Sequence, residues 1–227
     1  NKYLTQQGFC SRREADGLIR MGVVRINGRI AELGDPVEEH DEVKVREKRI
    51  GLSSQRTYIK LHKPPGITTT TDLDDPDNII SFVNHPRRIF PVGRLDKFSS
   101  GLILLTDDGD IVNLILRSKY AHEKEYVVKV DQPFDQAFIR QMSTGVEVLG
   151  SPTLPCKVDR LGARTFRLLL TEGRNRQIRR MCEALGYRVT DLTRVRIMHI
   201  LLDDLPMGQW QDLAPQELKE LFKRIGR

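Results

Sequence analysis

Asp96 is the acid most in need of a partner. It lies in residues 90–109, FPVGRLDKFSSGLILLTDDG, one residue after Leu95 and between Arg94 and Lys97. The apolar run 102–105 follows, then the turn-forming Asp107-Asp108-Gly109, so the run reads as a short buried strand. A carboxylate beside a buried strand needs a charged or hydrogen-bonded partner, because removing an unpaired charge from water is costly. For a lone Asp, a turn acid is the simpler reading. A chemical role therefore depends on a cation supplied from elsewhere in the chain.

The stretch 172–181, EGRNRQIRRM, offers that cation. It follows a strand pattern and opens a helix that ends near Gly186, with Ile178, Met181, Cys182 and Leu185 as the buried stripe. At ~100° per residue, Arg176 and Arg180 share the far side, facing solvent or phosphate. Arg179 falls at the margin of the stripe, where its stem can pack while its guanidinium reaches into a cleft. Helical geometry thus makes Arg179 the best-placed partner for a buried carboxylate, without saying which one. From residue 174 to 196 there are seven Arg against Glu183 and Asp191, a net +5 that nearly accounts for the +6 of the whole chain. Arg in place of Lys suits fixed, forked contacts to phosphate or carboxylate.

The 227 residues, 39% hydrophobic and 30% charged, suit an ordinary soluble globular protein with one large core or a small domain plus a medium one. No run approaches the ~20 apolar residues that span a membrane, and no signal-peptide pattern opens the chain. Cys10, Cys156 and Cys182 are odd in number and never in CxxC pairs, which argues against a disulfide framework or a zinc site and fits a reducing cytoplasm.

Residues 1–46 read as a small separate module. Ser11-Arg12-Arg13-Glu14 has capping-box spacing, Ala15, Leu18 and Ile19 form a stripe, and Asn27-Gly28 signals a hairpin. Six bases in residues 1–30, among them Lys2, Arg12 and Arg13, face two acids, while residues 31–46 hold six acids against Lys44 and Arg46. A basic face beside an acidic edge would orient the module on a nucleic acid. Residues 47–57 read as a linker. Beyond it, strand patterns at 58–62, 124–130, 165–171 and 194–202 interleave with short helical patterns at 79–83 and 111–115, one after Pro133, and one from Pro215. Without regular βαβ spacing, this predicts an α+β domain, residues 58–227, with a mostly antiparallel sheet.

The motifs together resemble a known family. GRLD at 93–96 with SxGLxxLTxDG behind it, KEY at 124–126 and EGRNRQIRRM at 172–181 are similar to three motifs of the pseudouridine synthases, in the RsuA-type branch that modifies ribosomal RNA. The KPPG turn at 63–66 and the order of the pieces agree. NHPRRIFPVGRLDK and HEKEYVV look closest to the large-subunit enzymes of that branch. Phe98 stands where the pattern has an acidic residue. The first 46 residues resemble the small RNA-binding domain named after ribosomal protein S-four. The resemblance implies a mixed sheet flanked by helices and no metal or organic cofactor. It also implies Asp96 as catalytic acid, Arg179 as its ion-pair partner and Tyr126 as the ring against the target base. Arg94, Lys124, Arg174, Arg176, Arg180, Lys2, Arg12 and Arg13 are the expected RNA contacts. The implied partner is a structured stem-loop of large-subunit ribosomal RNA, with transfer RNA as a further candidate, and the implied state is a cytoplasmic monomer.

The residues suit that chemistry. Uridine isomerisation needs the base flipped out of the RNA, at a cost of a few kcal/mol that RNA contacts offset. A carboxylate can then act on the sugar as nucleophile or base, and in a dry pocket it needs a cation to stay ionised. Tyr126 offers a flat face and a hydroxyl, although strand alternation alone makes it a core residue. Charge and the N-terminal module would serve a non-catalytic ribosomal-RNA-binding or assembly protein equally well; Asp96 and Tyr126 separate the two. A hydrolase ranks third, since the five His show no metal spacing and no Ser sits in a GxSxG elbow.

Overall fold

The computed structural model describes residues 1–51, 56–117 and 121–227. At the N-terminus, α1 (Lys2–Gln6) and α2 (Arg12–Arg20) pack on a four-stranded sheet of β1 (Val24–Ile26), β2 (Arg29–Ile30), β3 (Val43–Val45) and β4 (Lys48–Arg49), in the order β2-β1-β3-β4. The α2 start is a reciprocal capping box. Ser11 Oγ accepts from Glu14 N at 3.2 Å, and the Glu14 carboxylate accepts from Ser11 N at 2.6 Å. The Ser11 backbone bond is the chief reason the Glu14 carboxyl is held down to about 2. Asn27 and Gly28 both take positive φ, the conformation a two-residue hairpin demands. Leu4, Ala15, Ile19, Val24, Val43 and Val45 fill the small core.

This module reaches further than residue 46. Arg46 and Glu47 turn back with φ of 46° and 65°, so Lys48–Arg49 pair with β3 and Ile50 is buried in the small core. The stretch expected as a linker from residue 47 thus begins with structure. Its middle, residues 52–55, lies outside the described residues.

The larger body carries β5 (Tyr58–Lys63), α3 (Ile79–Val83), β6 (Phe90–Val92), β7 (Ser100–Thr106), α4 (Gly109–Leu116), β8 (Lys124–Val130) and α5 (Gln136–Thr144). After these come β9 (Glu147–Val148), β10 (Ser151–Pro152), β11 (Lys157–Arg160), β12 (Thr165–Leu170), α6 (Gln177–Ala184), β13 (Val189–Ile197), β14 (Ile200–Leu201), β15 (Trp210–Asp212) and α7 (Pro215–Ile225). A mixed sheet runs β11-β12-β8-β13-β7-β5-β15, with β14 on β13 and β6 on β7. Its ladders are antiparallel except β13 against β7. Strand β7 is buried along its whole length because both faces are covered. Ile103 and Leu105 enter one apolar cluster, Leu102 and Leu104 the other.

One expected strand divides. Residues 194–202 were predicted as a single strand, but Met198 takes φ 55° and turns the chain, so β13 ends at Ile197 and β14 folds back on it. The two bodies touch through polar contacts. Lys2 Nζ lies 3.1 Å from Asp110 Oδ1, Gln6 Nε2 donates to Asp110 Oδ2 at 2.8 Å, and Arg88 Nη2 lies 3.0 Å from Glu14 Oε2.

Candidate active site

The parallel β7–β13 pair builds the site. Because these strands run the same way, the segments entering each arrive at one end of the sheet: residues 93–99 ahead of β7 and α6 ahead of β13. Asp96 rides on the first and Arg179 on the second, 83 positions apart in sequence but facing each other across one cleft. Tyr126, on β8, lines the same cleft and sits in register with Arg194 of β13, which in turn opposes Gly101 of β7. Gly101 is obligatory at this crossing. Its φ is +108°, and a Cβ there would stand 2.2 Å from the Arg194 carbonyl oxygen.

Two guanidinium groups converge on one carboxylate oxygen. Arg179 Nε lies 3.7 Å and Arg176 Nη1 3.6 Å from Asp96 Oδ2. These are charge contacts, longer than hydrogen bonds, so the carboxylate keeps lone pairs for an incoming group. The side chains differ in exposure: Arg179 12%, Asp96 30%, Arg176 44%. Arg179 is fixed from behind. Its Nη1 donates to Val189 O at 3.3 Å, and its Nη2 to Phe98 O at 3.3 Å and Ser99 Oγ at 3.2 Å, while Nε is buried without a hydrogen-bond acceptor among the described residues. The same guanidinium therefore faces Asp96 and ties down the backbone that carries it.

Arg176 was expected on the solvent side of the helix with Arg180. Instead α6 starts at Gln177, and Arg176 precedes it in a left-handed conformation (φ 50°, ψ 34°) that turns its side chain to Asp96. Arg180 donates to Asn175 O at 3.1 Å and Asn175 Oδ1 at 3.2 Å, holding the loop ahead of the helix.

Three more of the expected RNA contacts are engaged within the protein. Arg174 donates from Nε to Glu172 at 3.1 Å, from Nη1 to Ser151 O at 3.0 Å and from Nη2 to Pro152 O at 2.5 Å, pinning the β9–β10 hairpin to the Arg-rich loop. Lys124 is buried in β8, its Nζ donating to His122 O at 3.2 Å, and burial, then Arg194, pulls its ammonium below the usual range. Lys2 is paired with Asp110. Arg94, Arg12 and Arg13 are exposed, Arg94 at the cleft itself.

Two site-forming cations escaped the sequence reasoning. Lys63 is 0% exposed, its Nζ donating to Pro64 O and Ile67 O at 2.8 Å and to Lys97 O at 3.2 Å. Burial pulls it down to about 8, while the Asp96 charge pushes it back up. The signal was present in Lys63-Pro64-Pro65-Gly66: prolines lack N–H donors, so the turn is rich in carbonyls that a lysine can serve. Arg194 is 3% exposed and donates from Nε to Leu102 O at 2.7 Å. Two-residue alternation from Leu192 put it on the buried face.

Cleft and topology define an α+β enzyme whose acid, aromatic ring and arginines come from three separate segments of chain. The profile of the RNA pseudouridylate synthase family matches residues 57–184, and that of the S4 domain matches residues 1–43. The dual-specificity RNA pseudouridine synthase RluF of Salmonella typhi is 52% identical over 99% of this chain and 78% of its own length, and the RluF of Escherichia coli K12 is 51% identical over the same shares. Ribosomal large subunit pseudouridine synthase B of Bacillus subtilis is 36% identical over 97% of this chain and 93% of its own. A crystal structure of a pseudouridylate synthase superposes with a TM-score of 0.71 at 30% identity, covering 97% of each chain. The chain belongs to the RNA pseudouridylate synthase family, with an S4 domain ahead of the synthase domain.

Proposed function

We propose that this pseudouridine synthase isomerises uridine in a structured stem-loop of large-subunit ribosomal RNA, with Asp96 as the catalytic acid. The names of its relatives support the substrate class: RluF is a dual-specificity enzyme and the B. subtilis relative acts on the large subunit. Transfer RNA is the second substrate that the dual specificity of RluF brings into view. The observation that carries the assignment is the convergence of Arg176 and Arg179 on one oxygen of Asp96 in the cleft that Tyr126 lines.

The reaction breaks the bond from uracil N1 to ribose C1′ and makes one from C5 to C1′; C5 loses a proton and N1 gains one, so no electrons are exchanged. The Asp96 carboxylate, faced by two guanidinium groups, acts on the ribose as nucleophile or base. Tyr126 lies against the everted uracil and holds it for rotation. Arg94, Arg176 and Arg180 contact phosphates around the flipped nucleotide, and Arg12 and Arg13 carry the stem on the N-terminal module. Such an enzyme works as a monomer in the cytoplasm, where ribosomal RNA is made. None of the described helices is long and apolar enough to cross a membrane.

The test is pseudouridine mapping on a large-subunit ribosomal RNA transcript treated with wild-type protein or Asp96→Asn. The variant is expected to bind the transcript with wild-type affinity and to form no pseudouridine. Full conversion by Asp96→Asn would refute the assignment.

A further inference from the structure

The loop that carries Asp96 is fastened along its backbone. Gly66 N donates to Lys97 O at 2.7 Å and Lys63 Nζ reaches the same oxygen at 3.2 Å. Arg179 Nη2 donates to Phe98 O at 3.3 Å, and Ser99 N to Asp96 O at 3.0 Å. Lys97 Nζ is held by Asp77 Oδ2 at 2.7 Å. On this fixed frame stands Phe98, 70% exposed. Asp96 and Ser99, on either side of it in sequence, both line the cleft, so Phe98 stands at its rim.

An exposed aromatic ring on a fixed turn beside the cleft offers a flat apolar face to a bound partner. In a fold built to hold RNA, the matching surface is a nucleobase. Every base has a π-face, and stacking on an aromatic side chain requires no sequence-specific hydrogen bond. The fixed backbone also lowers the entropy lost when the base settles. The target uracil already has Tyr126 deep in the cleft, so the base at the rim belongs to a neighbouring nucleotide.

Given the RNA substrate proposed above, we propose that Phe98 is a stacking platform for a nucleobase flanking the everted uridine, holding the strand open beside the cleft. It is a positioning residue: it touches no reacting atom, and acts by keeping the flanking nucleotide out of the stem. The ring is uncharged, so its contribution to stacking is independent of salt, unlike that of the arginines around it.

The experiment compares wild-type protein with Phe98→Ala, Phe98→Trp and Phe98→Leu, measuring affinity for an in vitro large-subunit ribosomal RNA transcript across salt concentrations, thermal stability, and pseudouridine formation. Phe98→Ala is expected to weaken binding by roughly tenfold or more, with an unchanged salt slope and an unchanged melting temperature. Phe98→Trp is expected to restore affinity, while Phe98→Leu, apolar but without a ring, is not. Binding by Phe98→Ala within twofold of wild type overturns the proposal. So does equal rescue by Leu and Trp, which marks general apolar contact, or a loss that follows a fall in melting temperature, which marks a structural role. Because affinity is read directly, these outcomes stand apart from whether the transcript is modified.

Discussion

Arg179 faces Asp96 through Nε, 3.7 Å from Oδ2, and that buried N–H has no hydrogen-bond acceptor among the described residues. An approach of roughly 0.8 Å would give an ordinary N–H···O bond. Arg179→Lys keeps the charge but loses the fork that also serves Val189, Phe98 and Ser99. Without that fork the carboxylate and its loop lose their fixed placement, so the rate of single-turnover isomerisation is expected to fall by about 100-fold, with RNA affinity little changed. A Lys variant turning over within fivefold of wild type contradicts this role.

Arg174 and Arg176 lie two residues apart and are expected to respond oppositely. Arg174→Ala removes the donors that hold Glu172, Ser151 and Pro152 together, and is expected to lower stability by about 2 kcal/mol without changing the salt slope of RNA binding. Arg176→Ala removes an exposed guanidinium that lies 3.6 Å from Asp96 and is expected to reduce that slope by about one unit at near-wild-type stability. Denaturant titration and salt-dependent binding of both variants decide the matter; identical behaviour would show that the division is wrong.

Gly101→Ala tests the strand crossing beneath the site. A methyl group there meets the Arg194 backbone at 2.2 and 2.5 Å in a conformation that L side chains rarely adopt, and backbone cannot swing aside as a side chain can. The expected destabilisation is on the order of 4 kcal/mol or more, read as a large drop in denaturant midpoint or in soluble yield. A well-folded Ala variant would mean that β7 and β13 are spaced more widely than described.

Lys63 gives a pH signature. Its ammonium titrates near 8 in the folded protein against an ordinary value of 10.5, because burial opposes the charge. Between those two values the unfolded chain holds the proton that the native state has released, so this group's contribution to stability rises with pH through that window. Below about 8 both states are protonated and the contribution is flat. Thermal melts of wild type and Lys63→Met from pH 7 to 10 are expected to show the wild-type advantage growing above pH 8. A constant difference would argue against a depressed lysine.

Local chemistry determined much of this protein before any tertiary contact formed. The capping box at Ser11 and Glu14, the hairpin at Asn27-Gly28, the fully buried run of β7 and the alternation that places Tyr126 inward all follow from short-range sterics and from the periods of helix and strand. Asp96 and Arg179 were legible as candidates for the same reason, since one flanks a buried strand and the other sits at the margin of a helix stripe.

Only the tertiary structure decided which cations meet that acid and which are spent elsewhere. Counting 100° per residue could not place Arg176, because it lies outside the helix in a left-handed turn. Nor could it reveal that Arg174 is spent on carbonyls of a hairpin more than twenty residues away. Lys63 and Arg194 are buried because carbonyls at Ile67 nearby and at Lys97 and Leu102 far along the chain accept their hydrogen bonds. A long charged side chain goes where its solvation can be replaced. That depends on which strands run side by side, here on β7 and β13 running parallel, and no local pattern encodes it.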